Sequence, residues 1–196
     1  MHKHYTFSDI FAGLKDTIPE CDDSNCSDVL TNINFLNSKN ATFNLFDDPG
    51  LYLILNFQNG GELVFQKNNH LEVDGEKLNI IDLLSLVDDE RIKVDAIIDR
   101  RFIEFNYKNK VNPLELILCA KSVLNTKTEG LVYVERSIAI LSSDKNGIPL
   151  YGFCCVNKIE EEIGTEIDKK NFRVISTSSN TDLSSKLTNF LKESVV

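Results

Sequence analysis

Five cysteines, at positions 21, 26, 119, 154 and 155, are the residues of this chain best suited to chemistry. Cys21 and Cys26 bracket the tetrapeptide DDSN, a gap that would offer two thiolates to a soft metal ion. A structural zinc site needs four ligands, and no matching Cys or His pair follows. Cys154 and Cys155 are adjacent, so in a strand their side chains leave opposite faces and cannot converge on one ion. An odd thiol count without a secretory leader fits reduced cysteines that fill space. The pattern predicts no metal site and no disulfide.

Other chemical groups are sparse. His70 is the only histidine after His4, and no Ser, Thr or Cys has an identifiable histidine beside it, so no nucleophile–base pair is visible. Gly60-Gly61 lacks the G-x-x-x-x-G-K-[ST] frame of a phosphate loop and reads as a hairpin turn. The acidic run Glu160–Glu162, with Glu166 and Asp168, lacks EF-hand spacing and reads as a solvated face. These residues predict no catalytic constellation. The chain is expected not to be an enzyme and to carry no cofactor.

Charge and composition narrow the class further. Thirty acidic against 21 basic residues give a formal net charge of −9, with no basic stripe for phosphates. Direct nucleic-acid binding is therefore not expected. A hydrophobic fraction of 42% over 196 residues is enough for a packed core. No apolar run approaches the ~20 residues of a membrane span. The opening MHKHYTFSDIF has no apolar leader core, which makes a cytoplasmic location the expectation.

The elements that must position any site follow from periodicity. SDIFAGLKDTI sets Phe7, Ile10, Phe11 and Leu14 on one helical stripe, and SDVLTNINFLN makes a second helix. LYLILNF (51–57) and LVFQK (63–67) read as strands about a Gly-rich turn. Helices are predicted around 80–86 and 89–105, the longer with Ile92, Ala96, Ile97 or Ile98, and Phe102 apolar and its charges opposite. LELILCAKSVL, GLVYVERSIAILSS and IPLYGFCCVNKI then return to strands, the last two joined by DKNG. In the middle strand Val132, Val134, Ile138 and Ile140 share one face, interrupted by Arg136. They are expected to mark the covered part of the sheet's outer face. Leu183, Leu187, Phe190 and Leu191 form the stripe of a terminal amphipathic helix.

Two strands, helices, then three strands resembles a PAS domain. The residues that carry the resemblance are LYLILNFQNGGELVFQKNN as the opening hairpin, DLLSLVDDERIKV as an apolar helix ending at an acidic turn, and SSDKNGIPLYGFCCVNKI as the closing hairpin. Val87-Asp88 stands where the family commonly has His-Pro, and Asn68-Asn69-His70 where Asn-Arg-Ala is frequent. The resemblance covers roughly residues 45–158. It implies an α+β fold: a five-stranded antiparallel sheet with helices on one face, preceded by a helical extension. Haem-binding relatives use a histidine on the long helix, and flavin-binding relatives a cysteine in a short helix; neither is present, so His70 is expected at the surface.

The expected organisation is a helical extension at 1–40, a PAS-like domain at 41–158, and an acidic tail with a terminal helix at 159–196. The resemblance implies a sensory module that takes a small ligand or protein partner and reports through flanking helices, similar to the sensory part of bacterial PAS/LuxR-type regulators. The alternative is a ligand-free dimerisation scaffold. Candidate pocket residues are Leu53, Leu55, Phe65, Leu83, Ile97 and Phe153. Candidate homodimer contacts are Phe7, Ile10, Phe11, Leu14, Leu183, Leu187, Phe190 and Leu191, with an effector or regulatory protein as a further partner.

Overall fold

The computed structural model describes residues 50–57, 62–67, 87, 91–126, 129–160, 171–178 and 181–194. Six strands, β1 (Leu51–Asn56), β2 (Glu62–Lys67), β3 (Leu116–Thr126), β4 (Gly130–Ser143), β5 (Pro149–Lys158) and β6 (Phe172–Ser176), form one sheet. Among the described residues two helices accompany them, α1 (Ile92–Lys108) and α2 (Thr181–Ser194). The spatial order is β2-β1-β5-β4-β3-β6, and every pairing is antiparallel. The fold class is α+β, as expected. The five anticipated strands occupy β2-β1-β5-β4-β3, and β6 adds a sixth at the edge of β3. Residues 159–196, expected as an acidic tail with a terminal helix, supply that strand as well as the helix, α2.

The β4–β5 hairpin shows how local sequence sets register. Asp144 Oδ1 accepts the backbone N–H of Asn146 at 2.9 Å and of Ile148 at 2.7 Å. Gly147 closes the turn at φ 84°, a conformation that costs a side-chain-bearing residue roughly 1–2 kcal/mol. The paired strands then place Ile138 opposite Cys154 and Ser137 opposite Cys155. Alternation sends Cys154 to one face and Cys155 to the other, as the adjacent thiols require.

Both faces of the sheet are buried. On one, Leu51, Leu53, Leu118, Ala120, Val134, Ile138, Ile140 and Val156 form a core with α1 residues Ile98, Phe102 and Ile103. On the other, Tyr52, Ile54, Ile117, Ala139, Leu141, Phe153 and Cys155 cluster. Val132, Val134, Ile138 and Ile140 therefore belong to the α1-facing core, which corrects their assignment to the outer face. A central strand buried on both sides explains why β4 is apolar at both parities.

The terminal helix packs inward. Leu187 and Leu191 are fully buried in the α1-side core, with Leu183 and Phe190 packed against it. Burying two leucines contributes roughly 1.5–3 kcal/mol each. The Phe190 ring lies 5.7 Å from that of Phe105 and sits under the Arg101 guanidinium at 5.4 Å. Leu187 and Leu191 thus cover their own domain, which corrects their placement as contacts between chains; Leu183 and Phe190 are half-buried beside them. Phe7, Ile10, Phe11 and Leu14 lie outside the described residues. Among the described residues no helix is long and apolar enough to cross a membrane.

Candidate ligand site between the sheet and α1

A cavity of about 50 Å³ lies between the sheet and α1. Leu53, Leu55 and Phe57 line it from β1 and the residue after it, Gly152, Cys154 and Val156 from β5, and Arg136 and Ile138 from β4. Leu124, Val87, Asp99 and Ile103 complete the wall. Gly152 lets the strand pass the Phe57 ring, since a Cβ there would lie 2.3 Å from Phe57 Cζ.

The lining is apolar except at one end, where Arg136 and Asp99 meet. Arg136 projects from the centre of β4 between Ala120 of β3 and Val156 of β5. Its Nη1 donates to Asp99 Oδ2 at 2.6 Å. Asp95, one turn earlier on α1, has Oδ1 3.5 Å from Arg136 Nη2 and 3.3 Å from Arg91 Nε. Ser122 Oγ donates to Asp95 Oδ2, and Arg91 Nη2 donates to the Lys121 carbonyl at 3.0 Å. Two cations and two anions thus lie beneath the sheet, where an unpaired charge costs several kcal/mol.

Satisfaction is incomplete. Among the described residues, Asp99 Oδ1 and Arg136 Nε and Nη2 make no hydrogen bond, although both side chains are more than nine-tenths buried. Native interiors leave few such groups, and each one needs a physical account. Burial raises the Asp99 carboxyl above its ordinary value; Arg136 opposes this and Asp95 adds to it. Burial also works against the Arg136 charge, but Asp99 and Asp95 more than offset it. Arg136 stays cationic at any accessible pH, so Asp99 is the titratable member of the pair. Burial pushes the Cys154 thiol, on the same wall, to about 12.

Leu53 and Leu55 line the cavity as expected. Phe153 contributes to the wall, but its ring belongs to the opposite face, 6.4 Å from that of Tyr52. That corrects its placement as an inward side chain, because Leu53 pairs with Cys154, one residue along. Ile97 is half-buried and does not line the cavity; Asp99 and Ile103 do. Phe65 pairs through its backbone with Ile54, its side chain lying outside the described residues, as does the whole of Leu83. The charges of α1 do not all oppose its apolar face, since Asp95 and Asp99 are buried. The signal for them was Arg136, a cation at an inward strand position that required acidic partners from the covering helix.

No family model and no curated protein matches this chain.

The remaining chemical candidates are quiet. Cys119, Cys154 and Cys155 are free thiols. Burial pushes Cys155 to about 12 and raises Cys119, the latter against a 3.5 Å contact with Ser137 Oγ. Among the described residues no three His, Cys, Asp or Glu side chains cluster to hold a metal ion. Cys21, Cys26 and His70 lie outside the described residues, as do Gly60 and Gly61.

Proposed function

We propose that this chain is a PAS-like sensory module in which a small molecule entering the sheet–α1 cavity shifts the packing of α1, and α2 reports the shift. The observation that carries this reading is that α1 bears both contacts. Asp99 and Ile103 face the cavity, while Phe105 and Arg101 hold Phe190 of α2. Arg101 is itself held by Glu104 at 2.8 Å, and Lys108 grips the other Glu104 oxygen at 2.5 Å. Burial opposes the Glu104 charge, yet these two cations hold its carboxyl below the ordinary range. A helix braced in this way moves as a unit, so displacement at Ile103 reaches Phe190 within one turn. Among the described residues the order is two strands, a helix, four strands and a helix; without β6 and α2 it is the order on which the PAS resemblance rests.

The mechanism is a population shift. A ligand biases α2 only by the difference in its affinity for the docked and undocked arrangements. In this reading the chain binds rather than catalyses, and burial holds the three described thiols above their ordinary range.

Xenon tests the reading, being an apolar atom that enters cavities of this kind. The full chain under xenon pressure should show altered hydrogen exchange at Leu187 and Leu191 of α2. Unchanged α2 exchange with the cavity demonstrably occupied would overturn the proposal.

A further inference from the structure

The cavity beneath the sheet is closed off from the charges beside it. Asp99 Oδ1 and Arg136 Nε, which make no hydrogen bond, each expose less than 1 Å². Arg136 Nη1 and Asp99 Oδ2 are committed to each other at 2.6 Å, and Nη2 faces Asp95 at 3.5 Å. The backbone offers little more, since β1 and β5 each have a strand paired along both edges. An occupant therefore meets the side chains of Leu53, Leu55, Ile103, Leu124 and Val156, and the Cys154 thiol, which behaves as a small hydrophobe.

Such a lining selects by what it withholds. A hydroxyl, carbonyl or amide brought inside would give up its water and find no free partner among the described residues. An ionised group would add an unpaired charge to a site of low dielectric. A hydrocarbon has no polar hydration to lose, and it gains dispersion contacts with the wall. Size narrows the class further. A buried water requires roughly 10–15 Å³ of such space, so about 50 Å³ takes about four non-hydrogen atoms. Of the lining residues only Phe57 is half-buried and the rest are buried, which points to an occupant held whole.

We propose that the cavity is a site for a compact nonpolar molecule of about four non-hydrogen atoms, in the class of short branched hydrocarbons, bound without a polar anchor. This rests on the ligand-sensing reading above and adds the chemical class of the ligand. The charge network beside the cavity then serves to hold α1 against the sheet and makes no contact with the ligand.

The test is a nuclear magnetic resonance titration of the full chain at pH 7 with 2-methylpropane, with propan-2-ol and acetate as polar probes of the same size, and separately with xenon. 2-Methylpropane should give saturable shifts at Gly152, Ile103 and Leu124. Its half-saturation should lie at least about tenfold below that of either polar probe, the factor expected when a polar group is left without a partner. Propan-2-ol or acetate within tenfold of 2-methylpropane would overturn the nonpolar class. Xenon binding without 2-methylpropane binding would overturn it too, and both results leave the sensing reading intact. Selective uptake of 2-methylpropane with α2 exchange unchanged would refute the sensing reading and uphold the ligand class. Exclusion of all four probes would remove both. The site is checked with Val156→Leu, which fills the cavity with one added methylene, although the comparison among probes needs no variant. That variant should stay folded and lose the 2-methylpropane shifts; their persistence would place the binding elsewhere and refute the proposal.

Discussion

Replacing Arg136 by Met tests the buried charge network directly. The substitution keeps an apolar stem of similar length but removes the only cation within ion-pair distance of Asp99 among the described residues. Asp95 retains Arg91 and Ser122, so the damage concentrates on Asp99. A stranded carboxylate escapes by taking up a proton, which caps the penalty. From an ordinary value of 3.8, protonation costs at most about 4.4 kcal/mol at pH 7 and about 1.6 kcal/mol at pH 5, at about 1.4 kcal/mol per pH unit. The pH 7 ceiling agrees with the roughly 3–5 kcal/mol lost when one partner of a buried pair is removed. The sign is fixed by linkage. A carboxyl whose folded-state value is raised keeps its contribution below 3.8 and loses it as pH rises through the folded value. Arg136→Met should therefore be most damaging at neutral pH and approach wild type on acidification. Urea denaturation followed by circular dichroism at pH 5, 6 and 7 measures the difference. Adding Asp99→Leu to Arg136→Met should recover much of the loss at pH 7 and flatten its pH dependence. A deficit that is the same at pH 5 and pH 7 would refute the assignment of Asp99 as the stranded group.

Leu187→Ala should destabilise the chain by about 2–4 kcal/mol, because its side chain is fully buried in the core, and should leave the mass in solution unchanged by light scattering. Gly147→Val should cost about 1–2 kcal/mol in thermal or chemical denaturation, since the turn holds φ at 84°. Mass mapping after brief alkylation at pH 8 should find Cys119, Cys154 and Cys155 unmodified in native protein and modified after denaturation; native labelling of Cys154 would contradict a thiol at about 12.

The parts of the fold legible in sequence were those where one interaction dominates. The Asp144–Gly147 turn and the alternation of Val132, Val134, Ile138 and Ile140 each follow from local chemistry, and both are present. β6 was not legible, because among its five residues only Phe172 is buried and its formation depends on the edge β3 offers. Asp95 and Asp99 were missed for a related reason. They lie in helical register with Ile92 and Phe102, where a carboxylate normally signals the solvated side of an amphipathic helix. Their burial depends on Arg136, which is distant in sequence and reaches them only once α1 has crossed the sheet. Leu53 and Leu55 were found because β1 is apolar from Leu51 to Leu55, whereas Phe153, which lines the cavity, carries its ring on the opposite face by a one-residue parity that only the β1–β5 register fixes.

The strand order also sets a sequence of assembly. β3, β4 and β5 follow one another through short connections, so each pairs with a neighbour already close along the chain. β1 is different: its pairing of Leu51 with Val156 joins residues about a hundred positions apart, and the entropy of closing so long a loop delays it. The β3–β5 meander should therefore form first and accept β1, with β2 beside it, as a late arrival. Leu53 and Leu55 travel with that late strand, so the chamber beneath the sheet is walled only at the end of folding. The same hinge operates in reverse. Release of β1 together with β2 from β5 would open the interior and offer a buried occupant a route in and out without global unfolding. Exchange of the β1 amides should accordingly be faster than that of β4, at a rate that sets the upper limit for exchange of whatever the interior holds.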